Sequence, residues 1–198
     1  MPKKGEQTRR KIIEKSLQLF SVKGYYNTSI SDILDATGLT KGGLYGHFPS
    51  KEDIWYAVYD EAVGVWKGIA FDDVRSTTNP LDRIDKFIVN DLMRYLGGEV
   101  FAGGCFFLNM LVELSGQSAS MTRHIFRGFI QMSRLIQHWL DEAEEQGLIR
   151  EGLDHREISN FIVISLNGAA ALYISSRNQL ILETTINQLQ HYVSQLKP

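Results

Sequence analysis

Apolar residues recur three and four positions apart through almost the whole chain, and no segment alternates apolar and polar residues as a half-buried strand would. The pattern predicts an all-α protein. A first helix carries Ile13, Leu17 and Phe20 and stops at Gly24, behind residues 1 to about 7, which read as a flexible arm. Ile54, Val58, Ala62, Val65 and Ile69 mark a helix leading out of the N-terminal part with no Gly-, Ser- or Pro-rich linker. Asn79-Pro80 reads as a cap and first helical position for a helix through Ile84, Ile88 and Leu92 that ends at Gly97-Gly98. An apolar helix from Cys105 to Leu114 follows, then a long one with Ile125, Phe129, Met132, Ile136, Leu140 and Ala143 on one stripe and Gly147 as its terminator. Asp154 caps the next, through Ile158, Phe161 and Ile162 into the small-residue patch Gly168 to Ala171. The last helix places Leu182, Ile186, Leu189, Val193 and Leu196 at spacings of 4, 3, 4 and 3, a heptad seam.

The stretch from Thr28 to Asp53 is denser than the rest, with three helix starts and two stops. Ser29 and Asp32 form a capping-box pattern opening a short helix with Ile30, Ile33 and Leu34, and Gly38 stands where a left-handed C-terminal cap belongs. Thr40 caps a second short helix whose apolar residues are Leu44 and Phe48, leaving Lys41, Gly42, Tyr45 and Gly46 on its outer faces. Pro49 ends it, and Ser50 with Asp53 opens the next. Helix, turn, helix and a long third helix is the layout of a DNA-reading helix-turn-helix.

The outward residues point the same way. Lys51 at a first helical position faces the positive end of the helix dipole, a conflict that a DNA phosphate would resolve. Gly42, Gly43 and Gly46 each cost about 1 kcal/mol against alanine in a helix interior, which asks for a reason such as close approach to a groove. The run GLTKGGLYGHFPSKE resembles the DNA-binding signature of the tetracycline-repressor (TetR) family of bacterial regulators, over residues of about 8 to 55. The resemblance implies that Thr40, Tyr45, His47, Lys51 and either Ser29 or Thr28 contact phosphates, and that Lys41 and Gly42 face bases. Gly46 stands where many relatives carry a larger, groove-reaching side chain. A purely structural helical subdomain is the alternative.

Charge sharpens the division into a head, 1–52, and a body, 53–198. The net charge of −2 hides nine Lys/Arg against five Asp/Glu in the head, and twelve against eighteen in the body. A basic head on an acidic body suits a polyanion-binding head. The single cysteine, Cys105, leaves no intramolecular disulfide and fits a reducing cytosol; MPKKGEQTRRK has no secretory h-region. Phe161 to Ile174 is nearly apolar but, at fourteen residues, shorter than a membrane span and reads as a buried helix. The expectation is a cytoplasmic protein with no membrane contact.

Two further sites are expected in the body. Large adaptable side chains gather between Ile54 and Leu140, and the stretch FAGGCFFLNMLVELS resembles a TetR-family subgroup segment bordering the effector cavity. Trp66, Phe87, Cys105, Phe106, Asn109, Met110, Phe126, Phe129 and Met132 are therefore expected to hold a small apolar or aromatic effector. Asn109 either orients that ligand or ties down neighbouring backbone. The alternative is a solid core. The family resemblance also implies a homodimer in which the last two helices pair with their copies as a four-helix bundle, through Phe161, Ala169, Leu182, Ile186, Leu189 and Val193; the alternative is that the seam packs on its own core.

Catalytic and cofactor patterns are thin. There is no phosphate-cradling glycine loop, no G-x-S-x-G elbow, and no paired-cysteine or paired-histidine metal spacing. The five histidines read as surface or helix-face residues, and Cys105 with His124 is the one conceivable thiol pair, although Cys105 between bulky apolar neighbours reads more simply as core. No catalytic residue, metal or cofactor is assigned. The expected function is a DNA-binding regulator, most simply a repressor released from a palindromic operator by its effector, with an effector-free DNA-binding protein or a helical enzyme as alternatives.

Overall fold

The computed structural model describes residues 4–198 as an all-helical chain with no strand among them. The head is α1 (Lys4–Lys23), α2 (Ile30–Thr37), α3 (Lys41–Tyr45) and the first turns of α4 (Lys51–Ala70). The arm expected over residues 1 to about 7 is corrected from Lys4 onward, since α1 already starts there, with Glu6 in its first turn and the Thr8 hydroxyl bonded back to the Lys4 carbonyl; residues 1–3 lie outside the described residues.

The short elements are set by their caps. Ser29 accepts from the Asp32 amide while Asp32 returns a bond to the Ser29 amide, and Gly38 turns left-handed at φ 69° to close α2. Thr40 accepts from the Gly43 amide and Ser50 from the Asp53 amide, starting α3 and α4. Each cap satisfies a backbone donor that the helix itself leaves free. Ile12, Phe20, Ile33, Leu44, Ile54, Trp55 and Val58 are fully buried and form the core of the head. The 52/53 boundary thus falls in the first turn of a continuous α4.

The body continues with α5 (Pro80–Val89), which passes into a π-helical stretch over Asn90–Leu96, then α6 (Phe106–Leu114), α7 (Ala119–Glu145), α8 (His155–Ser176) and α9 (Gln179–Ser194). Asn79 caps α5 ahead of Pro80, and Asp154 caps α8. In the π segment the Gly97 amide reaches back five residues to Leu92 at 2.9 Å. This widening brings Asn90 onto α4, where its amide bonds the Ala70 and Asp72 carbonyls.

The heptad seam is corrected. Leu182, Ile186, Leu189 and Val193 keep 0%, 8%, 3% and 2% of their surface and pack on the protein's own core, as does Ala169. A 3.5-residue repeat serves an intramolecular face as well as an intermolecular one, so the spacing could not choose between them. The uncovered apolar stripe lies on α8 instead: Phe161, Ile164 and Leu172 are about half or more exposed, with Gly168 and Ala171 exposed between them, and Leu180 of α9 lies open as well. Among the described residues α8 alone is long and apolar enough to cross a membrane, and just under half of its apolar window is buried within the fold. His155 is also corrected from a surface histidine: it is buried, with Nδ1 2.7 Å from an Asp141 oxygen.

Candidate nucleic-acid interface and ligand cavity

On the head, α3 turns Leu44 inward and leaves Thr40, Lys41, Gly42, Tyr45 and Gly46 exposed, with Tyr45 39% open. Leu44 and Phe48, both nearly fully buried, dock the helix, and Arg9 of α1 lays its guanidinium 4.8 Å over the Phe48 ring. Ser29 is exposed at the start of α2, and His47 is half-buried. A Cβ at Gly42 would meet no atom of the protein within 4 Å, so nothing in its own fold demands glycine there.

Two expected phosphate contacts are revised. Thr28 is fully buried, and its hydroxyl bonds the Gly24 carbonyl at 2.7 Å, so it faces no DNA; between Thr28 and Ser29, only Ser29 reaches the surface. Lys51 turns inward. Its ammonium donates to the carbonyls of Tyr25 and Thr28 at 2.9 Å each and lies 4.2 Å from the Tyr25 ring centroid. Partial burial lowers its pKa. The conflict with the helix dipole is thus offset by two carbonyls inside the protein rather than by an external anion alone.

The same turn is held from the body. The Glu113 carboxylate at the end of α6 accepts the amides of Tyr25 and Tyr26 at 2.9 and 2.8 Å. Just before α6, Gly103 lies so close to the Ser21 carbonyl of α1 that no side chain fits. The head is therefore gripped by α4 through Lys51 and by α6 through Glu113.

The body holds a cavity of about 500 Å³, open to solvent on one side, between α4, the π-helical stretch, α6, α7 and α8. Of the residues expected at a ligand, Trp66, Cys105, Phe129 and Met132 line it. Phe87, Phe106 and Met110 do not: each is 0–1% exposed and fills the core, helical spacing being the same for core and cavity faces. Phe126 projects outward, 54% exposed. Asn109 is structural, its amide donating to the Gly103 carbonyl at 2.8 Å and fixing the loop against α1.

Tyr59, Phe71, Asp91, Tyr95, Phe107, His124, Arg127, Gln131 and Asn167 are among the further wall residues, none of them expected at a ligand from the sequence. Asp91 and Tyr95, four apart in NDLMRYL, share a helix face, but the π-helical stretch that carries them is not visible in the sequence. The Trp66 indole donates to Asp91 Oδ1 at 2.7 Å. Burial pushes the Asp91 carboxyl up to about 6 and the Cys105 thiol up to about 11. A thiol so disfavoured as thiolate, with the Tyr95 hydroxyl 3.9 Å from its sulfur, lacks the electropositive setting of a nucleophilic cysteine.

A capped helix-turn-helix with an open recognition face, seated on a helical body, has the layout of a DNA-binding regulator. The family models agree: the one described as bacterial regulatory proteins, tetR family, matches residues 12–58, and the tetracyclin repressor-like C-terminal domain matches residues 80–189. The chain belongs to the tetR family of bacterial transcriptional regulators and is a DNA-binding protein, not an enzyme. It is 28% identical over 172 residues to the HTH-type transcriptional repressor DhaR of Mycobacterium sp. (strain GP1), covering 86% of this chain and 84% of that one. With the repressor ComR of Escherichia coli (strain K12) it shares 25% over 175 residues, 86% and 80% of the two chains. A TetR regulator from Chloroflexus aurantiacus J-10-FL superposes with a TM-score of 0.90 at 28% identity, covering 98% of both chains. The regulator CifR, as a cysteine mutant complexed with 26-bp operator DNA, shares the fold at a TM-score of 0.80 and 15% identity over 92% of this chain and 94% of that one.

Proposed function

We propose that this regulator is a repressor that binds a two-fold-symmetric operator as a homodimer and is released when a small, largely apolar or aromatic effector enters the cavity. The observation that carries the reading is the continuity of α4. Its first turn holds Lys51 against the α1–α2 turn, and the same helix presents Tyr59, Val63 and Trp66 to the cavity. A ligand that shifts α4 from the body side therefore shifts the head, and release requires only that it bind the DNA-incompetent arrangement more tightly. A tenfold loss of operator affinity needs about 1.4 kcal/mol of such coupling.

On DNA, Ser29, Thr40 and Tyr45 serve as phosphate contacts, with His47 and the third ammonium proton of Lys51 in support, and Lys41 and Gly42 face the bases. The dimer forms through the open α8 stripe, Phe161, Ile164, Gly168 and Leu172, pairing with its copy; the former seam at Leu182 to Val193 backs that face from within. Pairing would cover an apolar helix face that is otherwise left in water. It also sets the two heads at half-site centres about 34–36 Å apart, or a multiple of that. Such a protein works in the cytoplasm.

Mobility-shift and anisotropy measurements on DNA flanking the protein's own gene test this reading. The expected result is a near-palindromic footprint bound by two chains and lost on adding an aromatic ligand. Ile164→Asp with Leu172→Asp should give a folded monomer with strongly reduced operator affinity. A dimer persisting in light scattering on that double variant would rule out this interface.

A further inference from the structure

Within the cavity, one group is unlike the rest. The Asp91 side chain is buried and lines the cavity, yet its one hydrogen bond among the described residues is the one Oδ1 accepts from the Trp66 indole at 2.7 Å, which leaves Oδ2 without a partner there. A buried carboxylate left half-satisfied is costly, and the cost is recovered when an opposite charge enters. The π-helical turn is what places it there, and such turns recur at functional sites. The same cavity is lined by aromatic rings: Trp66 and Phe107, whose ring centroids are 6.0 Å apart, with Tyr59 5.6 Å from Phe107 and Phe71 5.5 Å from Trp66.

We propose that the effector is an organic monocation, an ammonium group on an aromatic or aliphatic frame, seated with its charge against Asp91 Oδ2 and its frame among the Trp66, Tyr59 and Phe107 rings. This rests on the effector reading above and narrows it to one ligand chemistry. Aromatic faces attract a cation through their quadrupoles, and a desolvated instance adds to the ion pair. The remaining charged wall residues do not reverse the sign. Asp60 and Lys67 of α4 and Arg127 of α7 are exposed toward the solvent side, where water screens them. Near Asp91, Tyr95 on the same π segment and Cys105 ahead of α6 both have pKa values raised by burial, so both are neutral. His124 of α7 also lines the cavity. An anionic ligand pushed as deep would meet Asp91 as a like charge.

The test compares two isosteres by calorimetry on the full chain: (2-naphthylmethyl)trimethylammonium and 2-neopentylnaphthalene, which differ by a charged nitrogen in place of a carbon. The hydrophobic effect alone favours the neutral compound, so at least tenfold tighter binding of the cation supports the proposal. Asp91→Asn keeps an acceptor for Trp66 and should erase the cation's advantage while leaving the neutral compound's affinity as it was. In the wild-type protein the cation's affinity should also weaken as pH falls below about 6, where Asp91 takes up its proton, and this dependence should vanish in Asp91→Asn. If it persists there, it does not arise from Asp91 and the proposal fails. If the neutral compound binds as tightly as the cation in the wild type, the proposal is overturned while the cavity stands as an effector site. Should neither compound bind, the effector reading itself falls with it.

Discussion

In the head, Ser29, Thr40 and Ser50 each use a side-chain oxygen on a backbone amide three residues further on. In the body, Asp91 takes its partner from Trp66, 25 residues away on another helix, and leaves one oxygen for the cavity. These caps of the head are thus satisfied locally, which fixes its short helices and leaves the outer face of α3 open. The Asp91 carboxyl in the cavity wall is satisfied across helices and incompletely, which costs stability. Stability and recognition are separated in the first region and traded against each other in the second.

That comparison is broken most forcefully at the core and cavity faces. Phe106→Ala should cost about 3–5 kcal/mol in denaturant unfolding, because the side chain is 1% exposed. Phe129→Ala, on the cavity wall, should cost clearly less while altering ligand affinity; equal losses would mean that the cavity is core.

Next in size is the penalty carried by Asp91. Its folded pKa of about 6 lies above the ordinary unfolded value of about 3.9. The associated stability is therefore fully present below about pH 4 and lost as pH rises through about 6, an effect on the order of 2–3 kcal/mol. Asp91→Asn should be more stable than wild type at pH 7 by a comparable amount and should converge with it in acid. Asp85, likewise raised to about 6 by burial and nearby Asp82, leaves part of the acid dependence in both proteins. A destabilised Asp91→Asn at pH 7 would show that the carboxylate supports the fold.

A third perturbation addresses the join. Glu113→Ala removes the acceptor for two amides of the α1–α2 turn and should cost about 2 kcal/mol. Its operator affinity should fall although Glu113 faces no DNA. Hydrogen exchange at Tyr25 and Tyr26 reads the loosening directly; unchanged protection there would remove α6 from the head's support.

The smallest effect sharpens the head's side of the comparison. Gly42→Ala has open space for its methyl and should stabilise α3 by up to about 1 kcal/mol. If Gly42 allows close approach to the groove, the same variant should bind operator more weakly. Unimpaired binding would return Gly42 to an ordinary exposed position.

What was legible in the sequence follows the range of the interactions. The capping box at Ser29 and Asp32, the left-handed Gly38, the Thr40 and Ser50 caps and the Asn79-Pro80 start all depend on neighbours within four residues, and all stand where the sequence puts them. The inward turn of Lys51 is not legible in the sequence because its partners, the carbonyls of Tyr25 and Thr28, are more than twenty residues away. Among the expected ligand residues, Trp66, Cys105, Phe129 and Met132 line the cavity, whereas Phe87, Phe106 and Met110 fill the core beside it. Periodicity finds the buried face of a helix without saying whether it meets another side chain or a void. The seam at Leu182 to Val193 failed for the same reason, an apolar stripe being equally suited to its own core and to a second copy.

The central claim is that the cavity and the head are coupled through α4, and operator affinity measured with the cavity empty and then saturated tests it most directly. Fluorescence anisotropy of labelled operator should report at least a tenfold weaker complex when an aromatic compound, shown by calorimetry to occupy the cavity, is saturating. Operator should in turn weaken that compound's binding by the same factor, as linkage requires. An operator affinity unchanged at full occupancy of the cavity would contradict the account.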